Sequence, residues 1–152
     1  MKNGKKGILI ALALIVLLVT SFIIANSLEG LEQSRDASNA VSDAILPQEY
    51  AQSKDARRLV RKAAHLVEYA ALGVAVMLLT KEISVDFEKK CYGTALFYVL
   101  AVAVADEHIQ RFSDRTSSTG DIILDFCGAV VGFLAAWLVM KLYAAIRKKK
   151  HI

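Results

Sequence analysis

Proline and cysteine are scarce in this chain. One proline and two cysteines occur in 152 residues, and no Gly/Ser linker, low-complexity tract or internal repeat is visible. With Pro47 the sole proline, long stretches are free to run as unbroken helix. Cys91 and Cys127 sit in or beside apolar runs without metal-ligand spacing, which argues against a disulfide framework and a cysteine-based metal site. There is no H-E-x-x-H pair, no nucleophilic serine elbow and no polytopic phosphatase signature. The net charge of +4 comes from bases at the chain ends and helix edges, so no nucleic-acid partner is expected.

What is abundant is apolar surface. Hydrophobic residues make up 55% of the chain and the mean hydropathy is +0.42. These values indicate an integral membrane protein, and the length fits one domain, 1–152. The 19 uncharged residues Gly7–Ala25 follow Lys2, Lys5 and Lys6. That exceeds the apolar core of a cleaved signal peptide, about 7–15 residues, so it reads as a first span, about 7–25. Residues 26–62 are polar, with sparse apolar positions at helical spacing, and predict short amphipathic surface helices broken at Pro47. Further spans are expected at about 63–80, 91–110 and 122–143, with a short charged loop over 81–90. The expected fold is all-α with four transmembrane helices.

Orientation follows from the placement of Lys and Arg. With both termini cytoplasmic, the inner segments hold eleven of these bases and the outer segments eight. The tails are nearly pure base, whereas 26–62 balances six bases with six acids. A cluster of Arg57, Arg58, Arg61 and Lys62 on the outer side runs against the trend and suggests a binding task.

Acids and bases also sit at the membrane edge itself. Asp106, Glu107, His108, Gln110, Arg111 and Arg115 follow the uncharged run Cys91–Ala105, and Asp121 and Asp125 lead into the last apolar run. His65 lies sixteen residues before Lys81, Asp106 sixteen after Lys90, and Asp125 sixteen before Lys141. At about 1.5 Å per residue each group stands about 24 Å from its basic marker, near the outer edge of a core of ~30 Å. Three helices should therefore carry ionisable groups at one depth. Arg61, His65 and Glu68 share a helix stripe, with Tyr69 beside it. Asp106 and Gln110 share another. Asp121 and Asp125 share a third, continued by the close-packing pair Gly128 and Gly132. The expected pocket is lined by Arg61, His65, Glu68, Asp106, Glu107, Gln110, Arg115, Asp121 and Asp125.

Plainer roles are open to each. His65 and Glu68 can serve as bundle hydrogen-bond and ion-pair partners, Asp121 as the N-cap of the last helix, and Gln110 and Glu107 as solvated helix-end groups. Asp125, a turn inside an apolar helix, is hardest to explain in that way. His108 should point away from Asp106, and Cys127 should be a packing residue.

These residues resemble the VanZ-like family of small bacterial membrane proteins. The likeness rests on Asn26-Ser27-Leu28 with Gly30, Glu32 and Ser34, on Arg61-Lys62-Ala63-Ala64-His65-x-x-Glu68-Tyr69, on Asp106-Glu107-x-x-Gln110-x-Phe112-x-x-x-Arg115, and on Asp121-x-x-x-Asp125 ahead of Gly128 and Gly132. Ser113-Asp114 stands where a Pro-Gly often precedes the family's arginine. The resemblance implies a cell-envelope role in the bacterial plasma membrane and a link to teicoplanin tolerance; it supplies no reaction. The expected partner is a membrane lipid or lipid-linked wall precursor, its phosphate held by the basic cluster. No cofactor or resident metal is assigned. One alternative is an intramembrane metal- or His-dependent hydrolase or transferase, with His65, Glu68, Asp106 and Glu107 as candidate catalytic groups. Another is a structural accessory protein.

Overall fold

The computed structural model describes residues 2–28, 36, 39–41, 43–45, 47, 53–87, 91–112 and 118–149. Four long helices account for most of them: α1 (Lys2–Leu28), α2 (Lys54–Phe87), α3 (Tyr92–Phe112) and α4 (Thr119–Lys149). No strand occurs among the described residues. Between α1 and α2, residues 36, 39–41 and 43–45 are helical and Pro47 is not; the rest of the amphipathic segment expected there, Gly30, Glu32 and Ser34 included, lies outside the described residues.

The helices overrun the spans expected from hydropathy. α2 begins at Lys54, nine residues before the apolar run, and continues to Phe87 through most of the expected 81–90 loop. Lys, Arg, Ala and Leu are good helix formers, and no Pro or Gly interrupts 54–72. Asp55 in the first turn also suits the positive end of the helix dipole. Hydropathy marks where a helix meets lipid, whereas caps and breakers mark where it ends.

Three of the helices are long and apolar enough to cross a membrane: Gly4–Leu28, Lys54–Ser84 and Thr119–Arg147. Their apolar side chains mostly face outward. Only 11% of the α1 stretch is buried inside the bundle, against 39% for α2 and 33% for α4, so α1 is the peripheral helix. Leu14, Leu18 and Phe22 of α1 and Val131, Leu134, Leu138 and Val139 of α4 are exposed, as lipid contact requires. α3 does not reach the same apolar length, because its uncharged stretch ends at Ala105 and its last two turns are polar.

α2 and α4 make the most extensive contact, and glycine is the reason. A Cβ on Gly73 would run into the Ala129 carbonyl oxygen, and one on Gly132 into that of Ala70. One on Gly128 would lie 2.7 Å from the Leu66 carbonyl oxygen. The two backbones touch at three levels, which only small residues permit. Tyr69, Leu72, Val76, Met77, Val99, Ala103, Ala129 and Phe133 fill the core around this contact. Tyr92 meets Phe133 edge-to-face at 6.0 Å, and the Thr20 and Tyr98 hydroxyls lie 2.8 Å apart, tying α1 to α3. Cys127, expected to pack, is exposed on the outward face of α4 instead; Gly128 and Ala129 take the inward face beside it.

Candidate functional site

The polar groups converge at one end of the bundle, where α1 and α3 end and α4 begins. The α2 stripe supplies Arg61, Lys62, His65 and Glu68 there, with Tyr69 turned inward. The last turns of α3 bring Asp106, Glu107 and Gln110, and the first turns of α4 bring Ser118, Asp121 and Asp125.

Asp106 is fully enclosed, at 0% exposure, and it is held by donors from three helices. The Ser27 hydroxyl at the end of α1 donates to Oδ1, as does Gln110 Nε2 at 3.1 Å. The Tyr69 hydroxyl donates to Oδ2 at 2.9 Å. Ser27 Oγ also lies 3.1 Å from the Ile23 carbonyl oxygen, but a hydroxyl has one proton and a carboxylate is the stronger acceptor.

Glu68 accepts from Asn26 Nδ2 at 3.0 Å, and its other oxygen stands 4.0 Å from His65 Nδ1. Glu107 accepts the Ser118 backbone N–H at 2.5 Å, fixing the start of α4 against the end of α3. Glu107 Oε2 is buried and has no hydrogen-bond partner among the described residues. At the rim, Lys62 Nζ donates to Asp121 Oδ1 at 2.5 Å.

Asp121 is therefore not the N-cap. The helix starts two residues earlier, and Ser118 caps it: Ser118 Oγ accepts from the Gly120 N–H at 3.1 Å, and its carbonyl accepts from the Asp121 N–H at 2.9 Å. This frees the Asp121 carboxylate for Lys62. His108 points outward against Phe112, edge-to-face at 5.4 Å, away from the cluster.

These groups enclose a pocket of about 70 Å³ lined by Arg58, Arg61, Lys62, His65, Glu107, Gln110, Ser118, Asp121, Leu124 and Asp125. That space admits a few waters or a small charged group. His65, Asp106 and Asp125 each offer a ligand atom, and these atoms lie within 4.8 Å of one another. Eight of the nine residues expected at the site thus meet at one end of the bundle; Arg115 lies outside the described residues.

Hydropathy and spacing did not mark Ser27, Tyr69, Asn26 or Ser118 as lining groups, although each makes one of the site's hydrogen bonds. The available signal was weak: two small polar residues closing an apolar run, and a tyrosine beside Glu68. Arg58 and Lys62 were visible as part of the basic cluster, and the structure adds them to the pocket wall.

The arrangement has two chemical halves. Bases of α2 form the rim and can hold an anion; buried carboxylates and an imidazole lie deeper and can hold a cation. Ionised groups in a hydrocarbon-flanked bundle are costly unless paired, so this concentration marks the end of the bundle as the candidate site.

Comparison with known proteins identifies the family. No curated protein and no solved structure gives a significant match to the chain. The family model described as VanZ/LLP1 matches residues 9–140, taking in all four helices and every polar group of the pocket. The chain belongs to the VanZ/LLP1 family, and its apolar helices make it a VanZ-type membrane protein.

Proposed function

We propose that the chain is a four-span protein of the bacterial plasma membrane, with both termini in the cytoplasm, whose pocket opens toward the outer leaflet and holds the phosphate of a lipid or lipid-linked wall precursor. α3 is the fourth span: its apolar part buries Ala95, Val99, Val102 and Ala103 against the other helices, and its polar end closes the pocket. The inner orientation of the tails rests on the excess of Lys and Arg at both ends of the chain.

The observation that carries the reading is the wall made by Arg58, Arg61 and Lys62, consecutive turns of one helix, over a pocket at the membrane edge. Arginine offers a planar fork that matches phosphate oxygens two at a time. Bases at this depth attract anionic headgroups by about 1 kcal/mol each. The Lys62–Asp121 pair lies on the same rim, so an entering phosphate exchanges one anion for another at Lys62 rather than stripping a cation bare. A contribution to glycopeptide tolerance is the cellular consequence that fits an extracytoplasmic precursor ligand.

Two measurements test this. A cysteine at Thr119, exposed at the start of α4, in a chain carrying Cys91→Ser and Cys127→Ser should react with a membrane-impermeant thiol reagent on intact cells. Reaction only after lysis inverts the topology and moves the ligand to the cytosol. Purified protein in phosphatidylcholine nanodiscs should bind a fluorescent polyprenyl diphosphate, and Arg61→Gln should weaken it about tenfold, the value of one hydrogen bond to a charged group. Competition by phosphatidylglycerol assigns the site to ordinary lipid, and competition only by polyprenyl diphosphate assigns it to a wall precursor. No binding to either ends the proposal.

A further inference from the structure

We propose that His65, Asp106 and Asp125 form a divalent-cation site beneath the pocket, one suited to Zn²⁺ or Mn²⁺. This goes beyond the anion reading and stands on different groups: the buried acids and imidazole, not the basic rim.

The three ligands come from α2, α3 and α4, and their donor atoms lie within 4.8 Å of one another. Around a metal with bonds of about 2.0–2.2 Å, tetrahedral ligand atoms stand about 3.5 Å apart. The donor atoms thus stand at most roughly an ångström farther apart than in a loaded tetrahedral site.

The partners of these ligands suit that role. Metal-bound carboxylates and imidazoles are normally oriented by hydrogen bonds from the groups behind them. Ser27, Tyr69 and Gln110 fix the Asp106 carboxylate from three sides. Asn26 of α1 donates to one Glu68 oxygen at 3.0 Å, and the other stands 4.0 Å from His65 Nδ1, within ion-pair reach of the ring.

Charge supplies the need. Asp106, Glu107 and Asp125 are exposed by 0%, 2% and 2%, three carboxylates within one membrane-flanked cluster. Lys62 is committed to Asp121 at the rim. A dication neutralises the two carboxylates, Asp106 and Asp125, whose oxygens converge with His65.

An independent observation points to a ligand from outside the chain. Glu107 Oε2 is fully buried, lies in a residue that lines the pocket beside His65 and Asp125, and has no hydrogen-bond partner among the described residues. Such an oxygen is costly to leave unsatisfied. A cation, or water bound to one, satisfies it.

Imidazole with two carboxylates is a donor set for zinc or manganese; magnesium keeps most of its waters and prefers oxygen alone. The cation also raises the positive potential under the pocket, so it supports phosphate binding rather than competing with it.

The test uses the full chain, purified through a tag without histidine, carrying Cys91→Ser and Cys127→Ser so that no thiol takes up metal. After chelator treatment and dialysis, ZnCl₂ is titrated by calorimetry and manganese by electron paramagnetic resonance. A single saturable site is expected, weakened about tenfold or more by His65→Ala and by Asp125→Asn, and kept by His108→Ala, whose ring lies outside the cluster. Thermal melting supplies a readout for a poorly folding variant: zinc should raise the wild-type Tm and leave that of Asp125→Asn unmoved. No zinc binding by the wild-type chain, or equal binding by all three variants, overturns the site. Polyprenyl diphosphate binding is measured on the metal-stripped sample as well. If it persists while zinc binding is absent, the cation site fails and the anion reading stands; if zinc binds and the diphosphate does not, the reverse holds.

Discussion

The Tyr69 hydroxyl of α2 donates to the Asp106 carboxylate of α3 across 2.9 Å, with both residues at 0% exposure. A tyrosine is thereby spent on holding an acid. Removing the hydroxyl takes one donor from Asp106 and leaves Ser27 and Gln110 in place. Tyr69→Phe should lower stability by about 0.5–2 kcal/mol, the range for a hydrogen bond to a charged group tempered by membrane-protein values. A Tm series in one detergent checks this, and an unchanged Tm contradicts the role.

Asp106 itself is the less replaceable partner. Asp106→Ala leaves the Ser27, Tyr69 and Gln110 donors facing a void. The loss should exceed that of Tyr69→Phe, by about 1–3 kcal/mol for each buried group left unsatisfied. Asp106→Asn keeps the shape and an acceptor oxygen, and should recover part of the loss in the same melt.

Glycine substitutions separate contact from propensity. Gly132→Ala drives a methyl into the Ala70 backbone carbonyl, and its relief needs α2 and α4 to part. About 1–3 kcal/mol of destabilisation is expected. Gly7→Ala meets nothing within 4 Å and should be neutral, or stabilising by up to about 1 kcal/mol through helix propensity. Equal effects at the two positions would show that α2 and α4 do not pack as described.

The Lys62–Asp121 pair is only partly buried, with side-chain exposures of 37% and 26%. Exchange of the pair is therefore informative. Lys62→Asp alone should place two acids together and lower the yield of folded protein. Adding Asp121→Lys should restore it while leaving the rim with the same net charge. A coupling of about 0.2–1 kcal/mol is expected from exposed pairs. A double variant no better than the single shows that the two side chains do not pair.

Much of the fold was legible because lipid imposes simple demands. Apolar runs located the helices, and the sixteen-residue spacings of His65, Asp106 and Asp125 from basic markers anticipated groups that lie together in the structure. Helix ends were misplaced because hydropathy does not encode them; α2 continues through Arg57, Arg58 and Arg61, where charge without a breaker remains helical. The N-cap role left open for Asp121 falls to Ser118 for a related reason. Thr119-Gly120-Asp121 looks like a cap, but whether Ser118 or Asp121 caps depends on how Glu107 pins the Ser118 N–H, a contact between two helices. Ser27 and Tyr69 stood in the segments that carry the family resemblance, but their bonds to Asp106 follow only from setting α1 and α2 against α3.

The 34 residues of α2 extend about 51 Å, against a hydrocarbon core of ~30 Å. Arg57 and Arg58 near one end and His65 and Tyr69 further along therefore ride on a single rod with no proline or glycine between them to absorb a bend. The rod is also clamped backbone-to-backbone against α4 at Leu66, Ala70 and Gly73. The clamp at Leu66 and Gly128 stands one residue from His65 and three from Asp125, so the imidazole and the carboxylate face each other across a joint with no slack between the two helices.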